Sequence, residues 1–181
     1  MLQSDRFEVT LAGTISGTGS HSVIIPDEIV SAFAKSSTRG SRPKGERSAK
    51  ARHKRFAIKA FFESKEINFH GALHHYKGQY LISFGKRYQK ELGIFPSDYF
   101  ELQLLEDQSK YGVDVPEALQ AVMDSDPEGL QLFENLIPGR KRSLIYYVSR
   151  FKTQQTQVDK ALIIFNNLKR GIRDHLELLK P

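Results

Sequence analysis

The first 106 residues alternate hydrophobic and polar side chains in short runs with a period of two. Three of these runs begin at Phe7, Ile67 and Phe100, and such alternation predicts half-buried β-strands. A glycine-rich stretch at 13–19 predicts a turn, and residues 76–79 predict the tip of a hairpin. The first part of the chain is therefore predicted to be rich in β-structure.

After Gly112 the apolar residues recur three or four positions apart, as in amphipathic helices. Asp114 is predicted to cap a helix over Val115–Asp124, and Asp126 followed by Pro127 predicts the start of a second. Two further helices are predicted after Pro138 and Gly139. The third carries Leu144, Tyr147, Val148 and Phe151, and the fourth carries Val158, Ala161, Leu162, Phe165 and Leu168, with Gly171 as its stop.

An internal repeat relates two stretches of the first part at an offset of 59 residues, at which Val23 matches Ile82. Each copy is predicted to be a strand, a breaker, a short amphipathic helix and a second strand. In the second copy only Gly93–Asp98 join helix and strand, whereas the first copy has a long segment there. A connection of this kind can be long without disturbing the strands that it joins.

These patterns predict an α+β chain with an N-terminal closed β-barrel and a small all-α domain. The barrel is predicted over residues 1–110, with a pseudo-twofold relation between its halves from the repeat, and it carries a basic flexible loop at 35–55. The helical domain is predicted over 111–181, with a junction near 107–112.

The segment 35–55 carries nine lysines and arginines and one acid, Glu46, while the other residues carry 18 basic and 20 acidic side chains. It contains no Leu, Ile, Val, Phe, Tyr or Met, which predicts a solvated, mobile loop. Its charge of about +8 would attract a polyanion, most plainly nucleic acid, in a salt-dependent manner. The alternative is a solvated insertion without a partner. The candidate contacts are Arg39, Arg42, Lys44, Arg47, Lys50, Arg52, Lys54 and Arg55.

This basic segment contains no aromatic residue on which a base could stack, and single-strand binders usually combine the two. Its composition therefore favours non-specific phosphate attraction over base recognition.

A second candidate anion site is formed by Arg140, Lys141 and Arg142, which follow Pro138 and Gly139 at a predicted helix start. Three cations at this end oppose the helix dipole, whereas an anion bound at the free N–H groups would offset that cost. The alternative is that the helix begins nearer Ser143 and that the three cations lie in solvent.

The sequence contains no motif for catalysis or cofactor binding. GxSxG, GxxxxGK[ST], GxGxxG and HExxH are all absent. The chain has no cysteine, which excludes disulfides, a thiol nucleophile and Cys-ligated metals. His70, His74 and His75 would converge on a metal only if their hairpin bent, so they are interpreted as surface histidines. A non-enzymatic protein without metal or cofactor is predicted.

The apolar runs are only a few residues long, and the N-terminus lacks the pattern of a secretory signal. A cytoplasmic protein without a membrane span is expected.

The helical stretch resembles the YdeI/OmpD-associated family, also labelled bacteriocin-protection proteins. The resemblance is carried by Val115-Pro116-Glu117, Leu119, the helix start at Asp126, Phe133 and the segment from Pro138 to Tyr147. The family continues with a Thr-Arg pair and a further Arg, where this chain has Thr156-Gln157 and Lys160. The resemblance implies the helical fold and a protective phenotype, but it names no reaction.

The first part is similar to the barrel domain of unknown function that often precedes this helical module. HSVIIPDEIVSAF and YLISFGKRYQKELGIFPSDYFELQL carry this similarity, and the second stretch also resembles the AbrB/MazE/MraZ type of barrel. That resemblance implies a double-split barrel, of which this single chain would supply both halves. By analogy with that type, Lys86, Arg87 and Lys90 would contact DNA. The alternative is that they form the solvated face of an amphipathic helix.

The family resemblance also leaves open a function of another class. In that alternative the chain is a small-molecule-binding or stress-protection protein with its site between barrel and helical domain.

Overall fold

The computed structural model describes residues 2–14, 21–36 and 55–181. The chain divides into two compact units, Met1–Gln108 and Ser109–Pro181. Each unit has its own hydrophobic core. The predicted loop at 35–55 therefore lies almost entirely outside the described residues.

The first unit is a closed six-stranded β-barrel with two short helices, as predicted. Its strands are β1 (Phe7–Thr14), β2 (His21–Ile25), β3 (Arg55–Phe62), β4 (Lys65–Tyr76), β5 (Gln79–Ser83) and β6 (Tyr99–Glu106). Helix α1 (Asp27–Ser36) follows β2, and α2 (Lys86–Leu92) follows β5. All neighbouring strands are antiparallel, in the closed order β1-β2-β5-β4-β3-β6.

Alternation along the strands fills the interior of the barrel. In β3, for example, Phe56, Ile58 and Ala60 are buried, while the residues between them are partly exposed. The hairpin tip is also confirmed, because β4 and β5 are joined by Lys77 and Gly78. Both have positive φ, 49° and 79°, as a two-residue turn matching the strand twist requires.

The internal repeat appears as a two-fold pattern in the connectivity. The halves β1-β2-α1-β3 and β4-β5-α2-β6 have the same element order, and β2 pairs with β5 while β3 pairs with β6. Val23 and Ile82, which the repeat equates, face each other directly in the β2–β5 ladder. Each half therefore completes the sheet of the other.

The second unit consists of α3 (Glu117–Ser125), α4 (Pro127–Glu134), α5 (Pro138–Ser149) and α6 (Gln154–Lys169), followed by a short 3₁₀ helix (Glu177–Leu179). Phe133 and Phe165 lie at the centre of its core, stacked with ring centroids 6.0 Å apart. The predicted cap at Asp126 is confirmed, because its carboxylate accepts a hydrogen bond from the Gly129 N–H at 2.9 Å. Gly171, with φ 81°, ends α6 as expected.

Two helix boundaries differ from the prediction. Helix α3 begins at Glu117 with Pro116 as its N-cap, so the predicted cap at Asp114 and start at Val115 were wrong. A proline disfavours the helical conformation of the residue before it, which keeps Val115 out of the helix. Helix α5 ends at Ser149, so Phe151 lies in the turn that leads to α6.

Among the described residues, no helix combines the length and the hydrophobicity needed to cross a bilayer.

Candidate functional site

Three polar side chains surround Glu134, the last residue of α4. Its Oε1 accepts hydrogen bonds from the Tyr111 hydroxyl and the Lys110 ammonium, each at 2.6 Å. Its Oε2 accepts from the Lys141 ammonium at 2.7 Å. One carboxylate thus binds two lysines and links the start of the unit to α5.

This arrangement holds Glu134 in its charged form. Partial burial would raise the pKa of Glu134, but the hydrogen bonds from Lys110, Lys141 and Tyr111 lower it to about 2. Burial and the hydrogen bond to Glu134 raise the pKa of Tyr111, so its hydroxyl remains a donor at neutral pH. The cluster therefore keeps the same ionic connection between α4, α5 and the start of the unit at physiological pH.

We expect Glu134→Gln to lower the free energy of unfolding by about 1–2 kcal/mol at pH 7, because solvent screening at the partly exposed carboxylate reduces the full effect of its lowered pKa. A pKa that is lowered in the folded state stabilises above the ordinary value of 4.5, and this contribution is lost as the pH falls towards 2. Denaturant unfolding of both proteins between pH 7 and pH 2 should show the difference shrinking below pH 4.5.

Glu128→Gln is the matched control, since Glu128 is exposed on the same helix. It should cost only a few tenths of a kcal/mol through the helix dipole. A Glu134→Gln effect that stayed constant from pH 7 to pH 2 would contradict the pKa of Glu134 given above.

The cations at the start of α5 are largely committed to structure. The helix begins at Pro138, so Arg140, Lys141 and Arg142 do lie in its first turns, and its N-cap Ile137 provides no side-chain cap. Lys141 is bound by Glu134, and the Arg140 guanidinium donates to the backbone carbonyl of Arg173. Arg142 is partly buried and also takes part in an interaction. Arg140 and Lys141 therefore hold parts of the helical unit together, whether or not an anion binds at this helix start.

A different group of cations gathers around two aromatic rings where α5 ends and α6 begins. The Arg150 guanidinium lies 4.2 Å from the centroid of the Tyr147 ring and 5.3 Å from that of Phe151. The Lys160 ammonium lies 5.8 Å from the centroid of Phe151. We call Tyr147, Arg150, Phe151 and Lys160, together with the exposed Lys152 that follows Phe151 in sequence, the cation–aromatic face.

The local sequence explains how this face is built. Tyr147 and Arg150 are three residues apart and therefore share one side of the α5 end. Thr153 caps α6 by accepting from the Thr156 N–H at 3.2 Å. The Gln157 amide donates to the Phe151 carbonyl at 2.8 Å and fixes the turn that presents the Phe151 ring.

The helices that carry the Glu134 cluster and the cation–aromatic face are similar in sequence to a known protein family. Residues 112–171 match the model of the family described as Bacteriocin-protection, YdeI or OmpD-Associated. The match covers about a third of the chain and includes all of α3 to α6. No curated protein and no solved structure matches the chain.

The region that matches the YdeI/OmpD-associated family model contains Glu134, Lys141 and the whole cation–aromatic face, while Lys110 and Tyr111 lie just before it. The sequence reasoning missed this face. It placed Tyr147 and Phe151 on the apolar side of the third helix and preferred a half-core, half-surface position for Tyr147 over a stacking role. The spacing Tyr147, Arg150, Phe151 was a usable signal, but only the α5–α6 turn brings Lys160 to the same rings.

A cleft of about 380 Å³ lies beside Lys110 and Tyr111, partly within the YdeI/OmpD-associated region. Its lining combines the carboxylates of Asp114 and Asp124 with the apolar side chain of Met123. The Gln120 amide donates to Asp124 at 2.7 Å and so orients that carboxylate. The volume falls within the range of small-molecule sites.

One serine and one histidine of the helical unit also meet. Ser143 Oγ lies 3.1 Å from His175 Nε2 at the protein surface. Asp174, next in sequence to His175, accepts hydrogen bonds from the N–H groups of Leu176 and Glu177 at 2.9 and 3.0 Å, so its carboxylate is held by the turn that leads into the 3₁₀ helix.

In the barrel, the other predicted site residues lie on separate elements. Lys86, Arg87 and Lys90 are exposed on α2, with Tyr88 and Leu92 turned towards the core, and Arg87 lies 3.9 Å from Glu91. Arg55 begins β3 and donates to the His70 carbonyl at 3.3 Å. The remaining basic candidates from Arg39 to Lys54 lie outside the described residues.

The three histidines of β4 have different surroundings. His70 lies 3.4 Å from Asp107, and both side chains are largely buried. The His75 ring packs against Tyr80, with centroids 4.9 Å apart. Within 2–14, 21–36 and 55–181, no group of three or more His, Asp or Glu residues could hold a metal ion.

Proposed function

We propose that this chain is a YdeI-like, non-enzymatic protein that binds nucleic acid, or a polyanion of similar charge, through its basic segment 35–55. The observation that carries the proposal is the concentration of charge. Nine basic residues and one acid lie in this segment, whereas the rest of residues 1–108 has seven basic and eleven acidic residues. A partner that recognised the first unit by charge would therefore meet this segment first.

The place of the segment in the fold supports the proposal. It joins α1 to β3, and the equivalent connection from α2 to β6 needs only residues 93–98. The barrel therefore does not require the 18 residues between Ser36 and Arg55 for its closure. A connection that is dispensable for the fold can serve binding. The likeness of the barrel to the AbrB type, with DNA contacts at Lys86, Arg87 and Lys90, belongs to the same proposal.

Small-molecule binding is a second candidate function, favoured by the cleft beside Lys110 and Tyr111. Its mixed lining of carboxylates and apolar side chains would suit a small cation with an apolar body. For either function we expect a cytoplasmic location.

The test is a titration of the full chain with fluorescently labelled RNA, single-stranded DNA and duplex DNA at 50 and 200 mM salt. If the segment neutralises about six phosphates of a single strand, affinity should fall by roughly 300-fold over this range. Replacing residues 37–54 by a short Gly-Ser linker should remove most binding at 50 mM salt and leave the melting temperature of the barrel nearly unchanged.

The matched control keeps the length of the segment and exchanges its lysines and arginines for glutamine and serine. It should bind as poorly as the deletion, because charge rather than chain length provides the attraction. Equal affinity of the deletion variant and the natural chain at 50 mM salt would overturn the proposal.

A further inference from the structure

We propose that the cation–aromatic face binds single-stranded nucleic acid, with bases stacked on its planar groups and phosphates held by its cations. This inference rests on the proposed function in that it takes nucleic acid as the partner. It adds a second contact, in the YdeI/OmpD-associated region, that is independent of the basic segment and distinguishes single strands from duplexes.

The first argument is the charge state of the face. Arg150, Lys152 and Lys160 make no ion pair with any residue that the structure describes. Several lysines of the same unit do have carboxylate partners: Lys110 and Lys141 share Glu134, Lys169 pairs with Asp126 at 2.7 Å, and Lys180 pairs with Glu177 at 2.6 Å. The cations of the face therefore keep their positive charge available to an anion.

The nearby acidic and polar side chains have other partners. The Gln155 amide donates to Asp159 at 2.8 Å, and the Gln154 amide donates to Glu117 at 3.4 Å. These contacts involve the exposed side of α6 and the start of α3. They leave the ammonium of Lys160 next to Phe151 and directed to an aromatic ring rather than to a carboxylate.

The second argument is the geometry of the rings. Tyr147 and Phe151 meet edge to face, with centroids 5.3 Å apart and planes at 77°. The Arg150 side chain covers Tyr147 and is itself exposed, so it offers the outer face of its planar guanidinium to solvent. Bases stack on aromatic rings and on guanidinium planes alike. The Arg150 guanidinium already lies over the Tyr147 ring, so a base placed on the outer face of Arg150 would form a stack of three planar groups.

These features favour a single strand over other polyanions. In a duplex the base faces are stacked on one another, so a duplex could use the three cations but not the planar groups. An acidic protein or a sulfated polysaccharide would likewise use only the charges. Single strands offer phosphates and free base faces together, and the basic segment at 35–55, which lacks aromatic residues, cannot supply the stacking part.

The experiment uses the full chain with its basic segment intact. Affinities for a labelled oligothymidine, a duplex of equal length and heparin are measured for the natural protein, Arg150→Gln/Lys160→Gln and Phe151→Ala. Loss of one stacked base should weaken single-strand binding about 10-fold or more. For Phe151→Ala, which keeps every charge, duplex and heparin affinities should change by less than about 3-fold, whereas Arg150→Gln/Lys160→Gln should weaken the binding of all three probes and that of the single strand most. Arg173→Gln, at an exposed arginine of the same unit, is the control and should leave the ratio of the affinities unchanged.

Melting curves check that each variant folds, and Phe151→Tyr, which keeps the ring, should restore single-strand binding. If all variants keep the natural ratio of single-strand to duplex affinity, the inference is wrong even where the basic segment binds. A contrasting outcome is that deletion of residues 37–54 leaves the single-strand affinity unchanged, whereas Arg150→Gln/Lys160→Gln abolishes single-strand binding. That result would support the inference and overturn the proposed role of the segment. No binding of any probe at 50 mM salt would overturn both.

Discussion

Replacing Asn167 by leucine is expected to lower the free energy of unfolding of the helical unit by about 3 kcal/mol. Asn167 is 4 % exposed on α6, and its amide nitrogen donates to the backbone carbonyls of Lys180 at 2.8 Å and of Glu177 and Leu178 at 3.3 Å each. Leucine has a similar volume but no donor, so it would leave buried carbonyls unpaired, which costs about 1–3 kcal/mol besides the lost hydrogen bonds.

Thermal unfolding followed by circular dichroism measures this effect. For a unit of this size, about 3 kcal/mol corresponds to a decrease of more than 10 °C in the melting temperature. Asn166→Leu is the matched control, since Asn166 is the exposed neighbour on the same helix, and it should change stability by less than about 0.5 kcal/mol. Equal effects of the two substitutions would show that the amide of Asn167 does not hold the C-terminal segment.

Gly71→Val is expected to destabilise the barrel by about 2–3 kcal/mol. A Cβ atom at Gly71 would lie 2.6 Å from Ile58 Cδ1 and 2.9 Å from Ile82 Cγ2. Ile58 and Ile82 are at most 1 % exposed, so neither can move without displacing other core residues. Overpacking of this kind typically costs 1–3 kcal/mol, and valine adds two methyl groups beyond the Cβ.

Gly13→Val provides the comparison for Gly71→Val, because a Cβ at the exposed Gly13 of β1 would meet nothing within 4 Å. Valine suits a strand, so this variant should be neutral or slightly stabilised. Chemical denaturation of both variants separates the two effects. A Gly71→Val protein as stable as Gly13→Val would mean that the barrel interior can expand at β4.

The elements of both units could be predicted from sequence because their signals are local. Alternation over Phe56–Phe62 and the Asp126-Pro127 helix start depend on neighbouring residues only. The prediction of a cap at Asp114 was wrong because Pro116 disfavours the helical backbone conformation at Val115, so the helix begins only at Glu117. The prediction had not weighed this second local effect. The repeat predicted that β2 and β5 are equivalent, but not that they pair, because strand partners are not encoded locally.

The candidate site was less predictable, because it depends on contacts between distant residues. Lys141 looked like a free cation at a helix start, since nothing in the sequence indicates that Glu134 from α4 would bind it. Phe151 looked like one more apolar position of α5 until the turn into α6 placed it beside Lys160. The amino-acid composition thus predicts where positive charge is concentrated, whereas the partner of each charged side chain follows only from the three-dimensional structure.

The exchange of strands between the two halves of the barrel has a consequence for how the protein is made. Among the described residues, both strands that pair with β3, namely β4 and β6, belong to the second half of the barrel. The N-terminal strand β1 also pairs with β6, and Phe7 lies opposite Leu102 in that ladder. A nascent chain that has emerged as far as Phe62 can form the β1–β2 hairpin but has no partner for β3. We therefore expect closure of the barrel to wait for translation of β6, with the apolar edge of β3 depending on chaperones until then.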